Sequence, residues 1–313
     1  MELINFTYCD IEPDQVYDGL NGKKLALYYN DDLYMVKFPK DKHLTNGYAS
    51  STINEYISSH IFQVLGFNTQ ETLLGYYEDN IVVGCKDFEY PDKKLLSFAK
   101  IKNTLYGTMR TSSPDPENSS SFISTDLYET LDAINKQQLI DVEVMRSFFW
   151  EMFIVDTLIA NFDRHNGNWG ILRNNMTKAK IIAPVYDNGS SLYPKVNNQD
   201  ITYYLSNERG CFNGLMLNHT TSAITYRDKK INPQDFLLET NKKEVLVAIQ
   251  KVLSKLDLEP IIDLFYNIPV ISEQRKEFYS NVLDYRTKFL YKILKKNKLT
   301  IFYEQSNSQG MSL

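Results

Sequence analysis

The chain has 313 residues, 43% of them hydrophobic and 23% charged, with a formal net charge of -5. That length supports one large domain or two lobes with a real core, and the acidic balance excludes a broad basic field for nucleic acid. Cys9, Cys85 and Cys211 are odd in number and far apart, which excludes a disulfide framework and a Cys-type zinc site, and His43, His60, His165 and His219 form no H-x-x-x-H pair. The start, Met1-Glu2-Leu3-Ile4-Asn5, lacks the basic residues of a signal peptide. The most apolar run, residues 152–160, is too short for a bilayer and contains Asp156. The expectation is a soluble protein of the cytoplasm with no membrane and no nucleic-acid partner; secretion without a signal peptide stays open.

In chain order, residues 3–8 suit a short strand. Residues 17–24 are turn-rich and contain Gly19, Asn21, Gly22 and Lys23, a loop whose backbone N–H groups can approach phosphates. Residues 25–29 and 33–38 flank Asn30-Asp31-Asp32 and read as a hairpin. Lys37 falls late in its second strand, between apolar neighbours, where kinases put the lysine that contacts nucleotide phosphates. Residues 50–67 read as a helix, with Ile53, Ile57, Ile61 and Val64 at helical spacing and Gly66 as its stop. Glu55 on that helix has two readings: a partner for Lys37, or the glutamate of a Thr52–Glu55 capping box. The order of the two residues favours the ion pair.

Residues 71–77 and 81–87 read as two further strands, and residues 86–89, with Lys86 and Phe88, as the connection between lobes that faces the nucleotide base. Residues 93–105 suit a short helix. Residues 107–125 are rich in Ser, Thr, Pro, Asp and Asn and read as a loop. Its serines, Ser112, Ser113, Ser119, Ser120 and Ser121, are candidate autophosphorylation sites. Residues 142–162 form a long apolar helix that leads straight into Asp163. Asp156 within it is costly to bury alone, so Arg164 or His165 is expected to bond it. Ile171-Leu172 and Ile181-Ile182 suit two short strands, residues 200–231 look irregular, residues 243–256, 260–266 and 273–295 are helical, and the chain after residue 299 reads as a frayed tail.

The chemistry concentrates at Asn161-Phe162-Asp163-Arg164-His165-Asn166-Gly167-Asn168. Asp163 and Asn168 have the D-x-x-x-x-N spacing of a kinase catalytic loop, in which the aspartate accepts a hydroxyl proton and the asparagine holds a metal ion. The Asn166-Gly167 turn brings Asn168 back toward Asp163. Val185-Tyr186-Asp187-Asn188-Gly189 follows with a second acidic residue in a D-x-G context.

With these segments, Met35-Val36-Lys37-Phe38-Pro39, Asn54-Glu55-Tyr56 and Ala183-Pro184-Val185-Tyr186-Asp187, the chain resembles the HipA-like kinases, in the short CtkA-type form. The resemblance implies an α+β, two-lobed protein-kinase-like fold. The expected lobes are residues 1–88, β-rich with one main helix, and residues 89–313, mostly helical. It also implies ATP- and Mg2+-dependent phosphorylation of protein Ser/Thr, with an antitoxin or regulatory partner that the sequence does not identify. The candidate catalytic residues are Asp163, Lys37, Glu55 and His165. The nucleotide contacts are Gly19, Asn21, Gly22, Lys23, Lys37, Lys86, Phe88 and Asn166, and the metal ligands Asn168 and Asp187. Two departures stand out. Only a short segment precedes Lys37, which argues against antitoxin-dependent DNA binding, and residues 17–24 contain no Ser or Thr for a phosphate-loop autophosphorylation switch. Asp163-Arg164-His165 with Asn168 also resembles the D-R-H-x-x-N loop of phosphoinositide kinases, so a lipid or small-molecule kinase is the alternative. A nucleotide-binding protein without turnover is a third reading.

Overall fold

The structure, a computed structural model, describes residues 1–17, 22–39, 50–106, 124–206, 210–218 and 221–299. Gly19, Asn21, the candidate serines of residues 107–123 and the tail after Leu299 lie outside the described residues.

The N-terminal part is one sheet of five strands. They are β1 (Ile4–Asn5), β2 (Lys24–Tyr29), β3 (Asp32–Lys37), β4 (Thr72–Tyr77) and β5 (Asn80–Lys86), in the spatial order β1-β4-β5-β3-β2. Only β1 runs parallel to its neighbour. The β2–β3 hairpin turns on two residues, Asn30 and Asp31, both at positive φ (51° and 65°), the backbone that matches strand twist and that Asn and Asp tolerate. Period-2 alternation then sorts the side chains. Tyr34, Val36 and Val82 join Phe6 and Leu27 in a small outer core. Val83, Cys85 and Leu74 face inward against Ile53, Ile57 and Ile61 of α1 (Ser50–Val64). Lys37 is on that inner face, under α1.

The rest of the chain is mostly helical. Its centre is α4 (Val142–Leu158), capped at its start by the Asp141 side chain and buried at Met145, Phe149, Trp150 and Leu158. A three-stranded antiparallel sheet lies beside it: β6 (Lys93–Ser97), β7 (Gly170–Asn174) and β8 (Lys180–Ile182). A parallel bridge, Thr69 with Val185, joins the chain after α1 to the segment after β8. Around this centre stand α2 (Phe98–Tyr106), α3 (Leu127–Lys136), α5 (Asn198–Leu205), α6 (Cys211–Asn218), α7 (Pro233–Glu239), α8 (Lys243–Lys255), α9 (Glu259–Asn267) and α10 (Glu273–Lys296), with the small ribbon of β9 (Thr225–Tyr226) and β10 (Lys229–Lys230).

Several boundaries differ from the sequence reading. Residues 93–97 are a strand, because β7 offers them a partner that local periodicity cannot reveal. The helix into the catalytic loop stops at Leu158, four residues early: Ala160 adopts a left-handed φ of 54° and Asn161 N–H bonds back to Asp156 C=O. The stretch read as irregular, residues 200–231, contains α5, α6 and the β9–β10 ribbon. These pieces are short, and their stability comes from packing rather than propensity.

The helix α10 contributes two arginines to the interior. Arg275, fully buried, donates to Val196 C=O and Asn198 Oδ1. Arg286, 1% exposed, donates to Thr157 C=O at 2.7 Å and to Tyr193 Oη at 2.8 Å. Thr157 belongs to the last turn of α4, whose open carbonyls form the negative end of that helix, so Arg286 is balanced by a dipole. Arg286→Ala removes those bonds and leaves a cavity, and is expected to cost about 2–4 kcal/mol of stability. Urea unfolding of the variant beside wild type measures this.

Candidate active site

Three elements meet at the Lys37 ammonium. Its Nζ lies 3.1 Å from Glu55 Oε2 on α1 and 3.0 Å from Asp187 Oδ1 on the segment after β8. Burial alone would lower the Lys37 pKa, but Asp187 and Glu55 more than reverse this, and it stands well above the ordinary lysine value. The side chain is therefore a fixed cation. Glu55 is 2% exposed. Because α1 begins at Ser50, Glu55 falls on the second turn, beyond the first-turn position that a capping box needs. Its other oxygen, Oε1, accepts the Asn188 N–H at 2.8 Å. Asp187 has a left-handed φ of 56°, a conformation that costs about 1–3 kcal/mol for such a residue. Its side chain remains 42% exposed on the open side.

The catalytic loop is held from beneath. Asp156, on the last turn of α4, accepts Nε and Nη2 of Arg164 at 3.0 and 3.2 Å and Nδ2 of Asn161 at 2.8 Å. Asn161 Oδ1 in turn accepts the Asp163 N–H. Arg164 Nη1 donates to the carbonyls of Asn168 and Tyr186, and Nη2 also to Asn188 Oδ1. At the rim, Asn168 Nδ2 donates to Asp163 C=O at 3.0 Å. This fixes the amide so that Oδ1 is the atom left for a ligand. Among the described residues, nothing bonds to the Asp163 carboxylate.

Other candidates stand elsewhere. Asn166 is fully buried and turned into the helical part: it donates to Ser124 C=O and Thr130 Oγ1, and accepts Trp169 Nε1–H. The structure thus turns its side chain inward, where it seats the loop. Lys86 faces the side of the sheet opposite Lys37, since it pairs across from Tyr34, and its ammonium is 2.5 Å from Asp32 Oδ2. Lys23 lies over the rings of Phe38 and Tyr77 on that same outer side. Both lysines are thus removed from the cleft by strand alternation. Lys24, across from Lys37, shares its face instead, and sequence reasoning missed it. Gly22 has a φ of 84°, while Gly19 and Asn21 fall outside the described residues. The Phe88 ring lies 5.7 Å from that of Tyr186, tilted by 48°, and among the described residues its backbone N–H and C=O have no partner. His165 Nδ1 accepts the Gly167 N–H at 3.0 Å, so the ring braces the turn and, when neutral, carries its proton on Nε2.

The HipA-like C-terminal domain family matches residues 19–256. The chain is 41% identical over 289 residues, 91% of its length and 86% of the relative's, to the serine/threonine-protein kinase CtkA of Helicobacter pylori. The chain belongs to the HipA-like kinase family. Its fold superposes on the crystal structure of the Helicobacter pylori proinflammatory kinase CtkA with a TM-score of 0.84, at 39% identity, covering 94% of this chain and 99% of that one. HipA of Shewanella oneidensis MR-1, solved with HipB and operator DNA, shares the fold alone, with a TM-score of 0.51 at 14% identity over 92% of this chain and 68% of that one. The two-lobed α+β kinase architecture expected from the sequence is therefore the observed one.

In this HipA-like kinase the residues that sequence reasoning gave no role are the ones that hold the others: Asn161, Asn188, Ser59, whose Oγ accepts Asn188 Nδ2, and Thr130. Asn and Ser in a loop carry no periodic signal, and only Asp156, an acid inside an apolar helix, marked the place in advance.

Burial lowers the His165 pKa, against an opposing pull from Asp163. The folded state therefore binds this proton less readily than the unfolded chain, whose histidine has the ordinary value of 6.5. Stability from this group is full above that value and falls as pH drops through it. His60 is lowered in the same way. Denaturant midpoints followed from about pH 8 to about pH 5 are expected to fall with acidification, with a shallower fall in His165→Gln.

Proposed function

We propose that the chain is an ATP- and Mg2+-dependent serine/threonine protein kinase that transfers the γ-phosphoryl group to protein hydroxyls, its own included. The observation that carries this reading is the Lys37 ammonium held between Glu55 and Asp187, with the Asp163 carboxylate and Asn168 Oδ1 on the adjoining loop. The protein acceptor is favoured over a lipid or small molecule by the 41% identical relative, which is named a serine/threonine-protein kinase. We also place the lobe boundary near residue 88, between β5, in the first sheet, and β6, in the second.

The donor set fits a hard cation. Asp187 offers a partly exposed carboxylate and Asn168 an amide oxygen, and Mg2+ favours a few such oxygens beside water and phosphate. Bound ATP and Mg2+ supply the transferable phosphoryl group and neutralise its developing charge. Lys37 brings a fixed positive charge to the phosphates, and Glu55 directs it. Phe88 offers its backbone N–H and C=O, without partners among the described residues, to the base. Asp163 orients the acceptor hydroxyl and takes its proton as transfer completes. Arg164 and Asn161 hold that aspartate from below, and His165 and Asn166 shape its loop.

Asp163→Asn keeps the size and removes the basic carboxylate. A loss of about 10²–10⁴-fold in turnover is expected, with nucleotide binding largely retained because Lys37, Asn168 and Asp187 remain. A phosphotransfer assay with protein, phosphoinositide and small-molecule acceptors, run beside calorimetry with ATP, separates the two effects and identifies the acceptor class. Normal turnover of this variant would remove the role given to Asp163. Glu55→Gln can still accept the Asn188 N–H but loses the charge opposite Lys37. Its turnover is expected to fall strongly while its melting temperature stays near that of wild type.

A further inference from the structure

Asn188 has no part in the chemistry described so far, yet its polar atoms reach three other parts of the site. It is fully buried. Its backbone N–H donates to Glu55 Oε1 at 2.8 Å. Its Nδ2 donates to Ser59 Oγ, one turn further along α1, at 3.1 Å. Its Oδ1 accepts Nη2 of Arg164 in the catalytic loop. Its carbonyl accepts Ser191 Oγ at 2.7 Å, and that hydroxyl is 2.5 Å from Ser58 Oγ on α1. One residue thus bonds to α1 and to the catalytic loop, directly after Asp187.

An amide suits this junction because Oδ1 must accept from a guanidinium while Nδ2 donates to a hydroxyl, and an amide carries acceptor and donor on two separate atoms of one short, uncharged side chain. The junction also has little slack. A Cβ on the next residue, Gly189, would stand 2.9 Å from Ser51 C=O and 3.1 Å from Glu55 Oε2, the oxygen that meets Lys37. Movement of residues 188–189 would therefore be passed to Glu55.

We propose that Asn188 is a positioning residue for phosphoryl transfer: its buried amide ties α1 to the catalytic loop and aims the peptide N–H that orients Glu55 onto Lys37. In its effect on turnover the proposal rests on the kinase reading above; in its effect on α1 it does not. Asn188→Ala keeps every atom that touches substrate but removes the amide link between Arg164 and Ser59 on α1. A misplacement of catalytic groups on the scale of 1 Å is worth on the order of 10²-fold, so kcat is expected to fall by about that factor while KM for ATP changes little. Ile249→Ala, a cavity on α8 away from the cleft, is the control for lost stability, and its turnover per folded molecule should stay near wild type.

Amide hydrogen exchange on the nucleotide-free chain supplies the second arm. In Asn188→Ala, exchange should quicken in α1 and in residues 161–168, with α8 and α10 unchanged. If that variant does not fold, Ser59→Ala removes only the acceptor of Nδ2 and should shift both readouts in the same direction by less. Unchanged exchange in α1, or a kcat equal to that of wild type, overturns the proposal. A wild-type chain that transfers no phosphate from ATP would instead sink the kinase reading, and the exchange arm would still decide the role of Asn188.

Discussion

The buried guanidinium of Arg164 is the interaction on which the rest of the site depends. It is 3% exposed, and each of its five N–H groups has an acceptor: both oxygens of Asp156, the carbonyls of Asn168 and Tyr186, and Asn188 Oδ1. Burial alone would lower its pKa, but the Asp156 carboxylate reverses this and keeps it charged. A buried ion pair is weak evidence for net stability, because desolvation offsets much of the attraction. Its effect here is on geometry. A planar fork with five donors accepts only one arrangement of five acceptors, so the end of α4, the catalytic loop, the residue before Asp187 and the residue after it are set relative to one another.

From that centre, the constraints run outward in two directions. Toward the N-terminal sheet, Asn188 passes the position of Arg164 to Glu55, and Glu55 passes it to Lys37. Arg164 also lies over the ring of Phe62, on α1, at 5.9 Å. Toward the C-terminal helices, Arg286 and Arg275 of α10 hold Tyr193 and residues 196–198, the continuation of the segment that begins at Asp187. The candidate reacting side chains need not be rigid themselves. Asp163 and Asp187 keep accessible carboxylates on a backbone fixed from behind, which is how a site combines access with preorganisation.

The left-handed residues tell the same story. Ala160 and Asp187 both have positive φ, neither is glycine, and they stand at the entry to the catalytic loop and at the candidate metal ligand. Such conformations persist when neighbouring contacts over-determine them. At Asp187 the reversal aims the next N–H at Glu55, and at Ala160 it turns the chain off α4 so that Asn161 can reach Asp156.

Much of this was legible in the sequence. The β2–β3 hairpin, α1, the strands β4 and β5, and the long α8 and α10 follow from periodicity and turn residues, because each is stabilised by a pattern that repeats within itself. Lys37, Glu55, Asp163, Asn168 and Asp187 stood out as candidates because kinase chemistry needs those types in that order, and Asp156 because an acid in an apolar helix must find a partner; that the partner is Arg164 rather than His165 came from the structure. What tertiary structure alone decided has a common physical character. The strand β6 exists through its pairing with β7. Lys23 and Lys86 face away from the cleft because strand register sets which side of a sheet a side chain takes, and a shift of one residue reverses it. Asn166 became a buried plug and Asn188 a junction because an amide shows no preference along the chain between a solvated turn and a buried network; the acceptors that choose between them, Thr130, Ser59 and Arg164 among them, come from elements brought together only by the fold.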